Sequence, residues 1–279
     1  MTAGVQLRAA SDIAGSGAAF KHIDDWEATK GWQDQSFSWV VATVGNFVHW
    51  DVVDSWDMID MPMNQAKTGW LRAKNMEVGD AYNHLFKLCI DEESCRKSYD
   101  PRYASLITGT RFIFSSEHDN PLPSNVLTGL MGAIYTCPDC EGEIVNTDEW
   151  TCANGHHGYD AVSGLYFTKG IPPRPMAYGN PKNGLDDFRP QSVKEAVLAK
   201  KTIEVNCIAH GCAVWRKELF RKLEYPWFKT VQKNNTTGEG GGTQDLVFCR
   251  RAKEEVGARF GVNCAVKVSH LNLRTKDHF

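Results

Sequence analysis

The chain has 279 residues, a formal net charge of −3 and a sequence pI near 6.3. Its apolar fraction of 42% and charged fraction of 23% are ordinary for a soluble globular protein, and no overall basic field indicates a nucleic-acid or membrane partner. The net charge and pI do not exclude a local basic groove. No apolar run approaches the roughly 18 residues that a membrane-spanning helix needs.

Residues 1–35 are polar and rich in glycine and alanine. They lack a cationic start followed by an apolar block, so we expect an N-terminal tail or extension and not a signal peptide. We therefore expect a cytoplasmic protein whose thiols are reduced. In such a compartment, closely spaced cysteines and histidines favour zinc over disulfides.

Short apolar strands alternate with amphipathic helices along residues 36–279. This alternation predicts one α/β domain built on a mainly parallel, doubly wound sheet with helices on both faces. Ser124 is the predicted N-cap of one helix. The predicted strands are 37–45, 110–116, 161–167, 203–209, 212–216 and 265–270, and the predicted helices are 46–60, 78–89, 124–135, 217–223 and 244–256.

Two carboxylates follow the second predicted strand. Glu117 and Asp119 lie directly beyond residues 110–116. Ligands gather at the carboxyl ends of strands in open α/β sheets, and paired carboxylates suit Mg²⁺ or Mn²⁺. A solvated acidic turn is the alternative. Asp245, at the start of helix 244–256, and His270, at the end of the last strand, are further candidates, although Asp245 also suits a helix cap.

The order of these features resembles that of the GT-A glycosyltransferases, especially the family-2-like enzymes of phages and bacteria. The resemblance covers roughly residues 37–272 and is interrupted by a Cys/His-rich insertion. Two positions depart from the family pattern, with Glu117 in place of the usual first Asp and Gln244 where an acidic residue is common. The segments that carry the resemblance are FIFSSEHD (112–119), VSGLYF (162–167), GCAV (211–214) followed by PWF (226–228), QDLVFC (244–249) and VSHL (268–271).

The resemblance implies a GT-A (nucleotide-diphospho-sugar transferase, Rossmann-like) fold with a mixed sheet and helices on both faces. It also implies transfer of a sugar, most consistently from a UDP-sugar, to an acceptor hydroxyl with inversion. It implies Mn²⁺ or Mg²⁺ at Glu117, Asp119 and His270. Glu117 and Asp119 would also contact the donor, whose base would lie at Thr43, Val44 and Gly45. Asp245 would be the catalytic base. The chemistry agrees, because a divalent cation neutralises a leaving diphosphate and a carboxylate takes the hydroxyl proton.

The acceptor is open at this point. His210, Gly211 and Trp227 are candidate acceptor contacts, although a buried packing role is the commoner one for such a histidine or tryptophan. The glycine-rich residues 238–242 are a predicted lid, with a plain surface loop as the alternative. Protein, polysaccharide and a hydroxymethylated pyrimidine in phage-type DNA are all compatible acceptors, the last placing the protein in a bacterium or a phage-infected host cell.

Residues 136–158 are a predicted zinc-binding insertion. A Cys-x2-Cys knuckle, a third cysteine and one of two adjacent histidines form a closed Cys3His set, which is typical of structural zinc. The residues between the two halves, 141–151, predict a small hairpin as in a zinc ribbon. The candidate ligands are Cys137, Cys140, Cys152 and either His156 or His157.

Two other classes of protein remain as alternatives. One is a non-catalytic adaptor that binds nucleic acid through the zinc ribbon, and the other is a nucleotidyltransferase, which would release pyrophosphate. A nucleic-acid deaminase is disfavoured, since no His-x-Glu motif precedes the knuckle. The remaining cysteines are predicted core residues: Cys89, Cys95, Cys207, Cys212, Cys249 and Cys264.

Overall fold

The computed structural model describes residues 34–45, 47–62, 67–231 and 242–279. Residues Gln35–Phe279 belong to one compact unit of mixed α/β architecture. The predicted N-terminal tail (1–35) lies almost wholly outside the described residues, and so does the predicted lid except for Gly242.

The described residues form eleven strands and eight α-helices. The strands are β1 (Phe37–Thr43), β2 (Lys67–Lys74), β3 (Phe112–Glu117), β4 (Ile144–Asn146), β5 (Thr151–Cys152), β6 (Ala161–Leu165), β7 (Ala177–Tyr178), β8 (Thr202–Val205), β9 (Cys207–Ile208), β10 (Cys212–Arg216) and β11 (Phe260–Lys267). The α-helices are α1 (Trp50–Asp57), α2 (Val78–Ile90), α3 (Glu92–Ser98), α4 (Pro101–Gly109), α5 (Val126–Ile134), α6 (Val193–Leu198), α7 (Lys217–Arg221) and α8 (Gln244–Val256).

Seven strands form the central sheet in the order β2-β1-β3-β10-β6-β11-β8. β1 is parallel to β2 and β3, and β11 is parallel to β6. β10 is antiparallel to both of its neighbours, and β8 is antiparallel to β11. The predicted α/β class with helices on both faces is confirmed, and so is the mixed sheet that the resemblance implies. The mainly parallel sheet predicted from the alternation of elements is wrong, because half of these pairings are antiparallel. β10 is buried along its whole length, as a parallel strand would be, so its sequence does not reveal its direction.

Both faces of the sheet are covered. Residues of β1 alternate between them: Val40 and Ala42 join the hydrophobic cluster under α2, α4 and α8, and Trp39 and Val41 join the cluster under α1, α5 and the Cys/His insertion. This alternation follows from the two-residue period of a strand. Every residue of β1 is therefore buried.

Several predicted boundaries differ from the observed ones. Helices 78–89 and 244–256 are confirmed as α2 and α8. The predicted strand 203–209 is instead two strands, β8 and β9, which belong to different sheets. The helix predicted at 124–135 begins at Val126, and its N-cap is Asn125 instead of Ser124. The last strand begins at Phe260, five residues before the predicted start.

Candidate active site and metal centre

The carboxyl ends of several strands meet at one edge of the sheet. Ala42 pairs with Glu117, so the ends of β1 and β3 lie side by side. Beyond β3, the carbonyl of Asp119 accepts a hydrogen bond of 2.8 Å from Leu271 N. This contact ties the loop after β3 to the segment after β11 and brings His270 beside Asp119. The predicted grouping of Glu117, Asp119 and His270 at one sheet edge is therefore observed.

Asp119 is a buried carboxylate, only 7% exposed. Its Oδ2 forms an ion pair with Lys169 Nζ and lies 3.8 Å from His270 Nε2. Its Oδ1 is buried without a hydrogen-bond partner. A buried carboxylate oxygen without a partner is costly, by about 1–3 kcal/mol or more for a charged group, and this makes it a candidate cation ligand.

A backbone hydrogen bond orients the ring of His270. Its Nδ1 lies 2.7 Å from the carbonyl oxygen of Phe167 and donates to it, which leaves the lone pair of Nε2 facing Asp119. Burial is the main cause that lowers the pKa of His270, and the neutral imidazole is the form that binds metals.

Glu117 lies beside this pair at the end of β3. Its Oε1 accepts a hydrogen bond of 3.0 Å from Tyr82 Oη. Burial, followed by the charge of Asp119, raises the pKa of Glu117 to about 8. Close carboxylates of this kind repel one another, and a bound cation would relieve that repulsion.

Asp245 lies in the first turn of α8. It is 7% exposed, and its Oδ1 accepts from Leu246 N at 2.9 Å and from the hydroxyl of Thr243. Its charge contributes to the raised pKa of both Glu117 and Tyr166, so it lies within electrostatic reach of the acidic group. One oxygen of Asp245 thus accepts a backbone hydrogen bond in the first turn of α8, and the charge of the carboxylate acts on the acidic group.

Gly211, the residue before β10, supports the site. A Cβ at this position would lie 2.5 Å from Asn120 Oδ1, 2.9 Å from Tyr166 Oη and 3.3 Å from Glu117 Cδ. Glycine is required for this close approach, and the residue acts as a support for the acidic loop. Its predicted role as an acceptor contact has no separate observation behind it.

The structure contradicts two of the predicted acceptor contacts. Trp227 is 6% exposed, and its indole N–H donates to the carbonyls of Phe220 and Leu223, so its ring belongs to the core. His210 is 2% exposed and has no open face for an acceptor. The rings packed around His210 are those of Tyr82, Trp215, Phe228 and Phe248.

The predicted donor-base segment lies at the end of β1. Thr43 is buried, whereas Val44 is about half exposed. Two aromatic side chains follow it on the surface, Phe47 and Trp50, and Trp50 is 75% exposed. This exposed aromatic surface, close in the chain to Thr43, Val44 and Gly45, was not among the predicted donor contacts.

Sequence reasoning missed three polar residues of the site: Tyr82, Tyr166 and Lys169. Tyr82 and Tyr166 are buried next to Glu117, and burial is the first cause of their raised pKa values. Lys169 could have been predicted from the sequence, because it lies four residues beyond β6, whose carboxyl end is at the same edge as that of β3. Tyr82 could not have been predicted, since the sequence does not distinguish it from the other buried residues on the apolar face of α2.

The Cys/His insertion forms a second potential metal centre. The ligand atoms of one histidine and three cysteines all lie within 4.8 Å of one another, including Cys140 Sγ and Cys152 Sγ at 3.6 Å. Tetrahedral zinc with Zn–S bonds of about 2.3 Å would place two sulfurs about 3.8 Å apart. The cluster can therefore hold a metal such as zinc. Its members are Cys137, Cys140, Cys152 and His156.

The structure selects between the two candidate histidines. His156 Nδ1 lies 3.9 Å from Cys137 Sγ, whereas His157 Nδ1 lies 2.8 Å from the carbonyl of Gly158 and is outside the cluster. His157 is therefore wrong as a ligand. A hydrogen bond from the Gly142 N–H and the contact with His156 lower the pKa of Cys140 to about 6, which favours the metal-binding thiolate.

An arginine fixes the insertion to the sheet. Arg259 makes two hydrogen bonds to Asp139 inside the knuckle, at 2.6 and 3.0 Å, and two to Glu204 on β8, at 3.0 and 2.9 Å. It also donates to the carbonyl of His157 at 3.1 Å. The predicted hairpin is present as β4 and β5. The position of the cluster therefore indicates a structural clamp on the fold, distinct from the acidic edge.

Comparison with known proteins defines the fold alone. No family model and no curated protein matches the chain. The crystal structure of A197 from STIV is similar, with a TM-score of 0.50, 14% sequence identity, and coverage of 85% of this chain and 86% of that chain. In the described part of the chain, no helix combines the length and apolar character needed to cross a membrane.

Proposed function

We propose that this chain is a metal-dependent glycosyltransferase of the GT-A type that moves a sugar from a nucleotide-sugar, most consistently a UDP-sugar, to an acceptor hydroxyl. One observation carries the proposal. The buried Asp119 carboxylate, with an unpartnered Oδ1, faces His270 Nε2 at the carboxyl edge of the sheet, within reach of Glu117 and Asp245.

The residue types of this donor set are those that a hard divalent cation prefers. Asp119 Oδ1 and His270 Nε2 would hold Mn²⁺ or Mg²⁺, with Glu117 as a third ligand. When bound, the cation supplies charge neutralisation to a leaving diphosphate. The ammonium group of Lys169, which pairs with Asp119 here, is a second cation available to the same phosphates.

The donor and the acceptor would approach from different elements. Thr43, Val44 and Gly45, together with the exposed rings after them, offer a surface for the nucleotide base. The carboxylate of Asp245 takes the proton of the acceptor hydroxyl. The acceptor oxygen then bonds to the anomeric carbon, and the bond from that carbon to the diphosphate breaks with its electron pair on the nucleoside diphosphate, which gives inversion.

The test is a donor-by-acceptor screen with Mn²⁺, analysed by mass spectrometry. The donors are nucleotide-sugars, and the acceptors are DNA with hydroxymethylcytosine, peptides and oligosaccharides. We expect one acceptor to gain the mass of a hexose or a pentose, with release of a nucleoside diphosphate. Release of pyrophosphate would favour a nucleotidyltransferase, and no mass gain on any acceptor would contradict the proposal.

A further inference from the structure

A large groove lies beside the acidic edge. It has a volume of about 1210 Å³ and runs between α2, α3 and residues 225–231. Small-molecule pockets usually have volumes of roughly 300–1,000 Å³, so the groove has room for an extended ligand. Hereafter "the α2 groove" denotes this cavity, and the argument uses Glu77, Asp80, Lys87, Tyr225, Lys229 and Thr230 from its lining.

The α2 groove begins next to the candidate base. Thr230 Oγ1 donates to Glu77 Oε1 at 3.0 Å and lies 3.5 Å from Gln244 Oε1. Gln244 immediately precedes Asp245. Tyr82 of α2, whose helix also forms one wall of the groove, donates a hydrogen bond to Glu117. One end of the groove, at Thr230, therefore contacts the residue that precedes Asp245.

The polar lining of the groove is balanced in charge. Lys87 pairs with Asp91 at 3.3 Å, and Lys97 pairs with Glu93 at 2.8 Å. These two lysines are thus neutralised at the rim. Lys229 is the third lysine of the lining, which also contains the carboxylates of Glu77 and Asp80. A polyphosphate backbone requires a concentration of unpaired cations, which this lining does not present.

An exposed aromatic ring completes the surface. Tyr225 is 46% exposed, and it is oriented by Lys87 Nζ, 4.9 Å from the ring centroid, and by Trp227, whose ring centroid is 5.2 Å away. An aromatic ring offers an apolar surface for the C–H face of a sugar, and nearby carboxylates and hydroxyls accept and donate hydrogen bonds to its hydroxyl groups.

We propose that the α2 groove binds a neutral, polyhydroxylated acceptor, an oligosaccharide chain, and directs its terminal hydroxyl to Asp245. This inference rests on the proposed function, because it names the acceptor class of that site. Among the compatible acceptors, it favours a glycan over a nucleic acid.

The experiment measures binding to the full chain by saturation-transfer NMR and titration, without any donor. The neutral probes are maltohexaose, cellohexaose and chitohexaose, and the charged probe is a single-stranded DNA of about 20 nucleotides that contains hydroxymethylcytosine. The variants are Tyr225→Ala, Tyr225→Phe and Asp80→Ala. Leu198→Ala, an exposed position on α6, is the control.

We expect at least one hexasaccharide to bind with a Kd of about 1 mM or lower. Tyr225→Ala should weaken it about 10-fold, whereas Tyr225→Phe, which keeps the ring, should change it by less than about 2-fold. Asp80→Ala should also weaken it, and Leu198→Ala should not. The affinity should change by less than about 2-fold between 50 and 200 mM salt, since no phosphates are neutralised.

Two results would overturn the inference. One is the absence of binding by all three hexasaccharides, and the other is salt-dependent binding of the DNA that Tyr225→Ala or Asp80→Ala weakens. The two proposals can fail separately. Oligosaccharide binding by a protein that transfers no sugar would support the binding role of the α2 groove and contradict the transferase proposal. Sugar transfer without oligosaccharide binding in the groove would support the transferase proposal and contradict the binding role.

Discussion

Gly211 shows how a single residue sets the shape of the acidic site. Because an added Cβ would come within 2.5 Å of Asn120 Oδ1, Gly211→Ala must displace the loop that carries Asp119. We expect a loss of stability of about 1–3 kcal/mol and a loss of donor turnover of at least about 10-fold. Chemical denaturation and nucleoside diphosphate release measure the two effects.

Gly132→Ala is the matched control for this substitution. Gly132 lies in α5, and nothing is within 4 Å of its added Cβ. Alanine in a helix is favoured over glycine by about 1 kcal/mol, so this variant should be as stable as the parent or more stable. Equal losses in the two variants would contradict the role assigned to Gly211.

A buried ion pair provides a second prediction at this scale. Arg216 Nη1 lies 2.8 Å from Asp160 Oδ1, with both side chains under 10% exposed, and the guanidinium stacks 4.3 Å from the ring of Trp150. Asp160→Ala would leave Arg216 buried without its counter-ion. We expect about 3–5 kcal/mol of destabilisation in urea unfolding. A change within experimental error would show that the buried pair does not stabilise the fold.

At the residue scale, the sequence predicted the groups whose chemistry is evident from their position. Asp119 and His270 follow buried strands, and residues in that position are expected to contact a ligand in an α/β fold. Tyr82 and Gly211 could not be predicted in their observed roles, because a hydroxyl on a buried helix face and a clash with a missing Cβ depend on tertiary contacts. Trp227 was assigned to the acceptor because an aromatic residue beside a proline looks the same in a core and on a surface.

At the scale of elements, the Cys/His insertion supplies a direct test. The structure places His156, but not its neighbour His157, in the metal cluster. His156→Ala should lower zinc affinity by at least about 10-fold, and His157→Ala should retain zinc. Metal analysis of the purified variants and competition with a chelator measure this. Retention of zinc by His156→Ala together with its loss in His157→Ala would reverse the assignment.

The elements that the sequence predicted best have unambiguous ends. α8 begins at Gln244 and ends before Gly257, which adopts the left-handed conformation (φ 67°) that terminates helices. The single strand predicted at 203–209 was wrong, because the chain leaves the sheet at Asn206. No glycine or proline in this run indicates the break. Its side chain donates to the carbonyls of Gly184 and Asp187, contacts that are distant in sequence.

At the scale of the whole molecule, the two faces of the sheet carry different features. The Cys/His insertion packs with α1 and α5, whereas the α2 groove lies on the face covered by α2 and α8. This separation agrees with a structural role for the metal cluster and an acceptor site elsewhere. The mixed α/β class was predictable from the alternation of elements, but the strand order was not, since it depends on long-range pairing.

The most direct test of the transferase proposal is hydrolysis of UDP-sugars by the full chain, with and without Mn²⁺, compared with Asp119→Asn. Asp51→Asn is the control, because Asp51 is a half-exposed carboxylate at the start of α1. We predict Mn²⁺-dependent release of UDP that falls by at least about 100-fold in Asp119→Asn and is unchanged in Asp51→Asn. UDP release that is independent of both Mn²⁺ and Asp119, or no binding and no turnover of any UDP-sugar, would contradict the account.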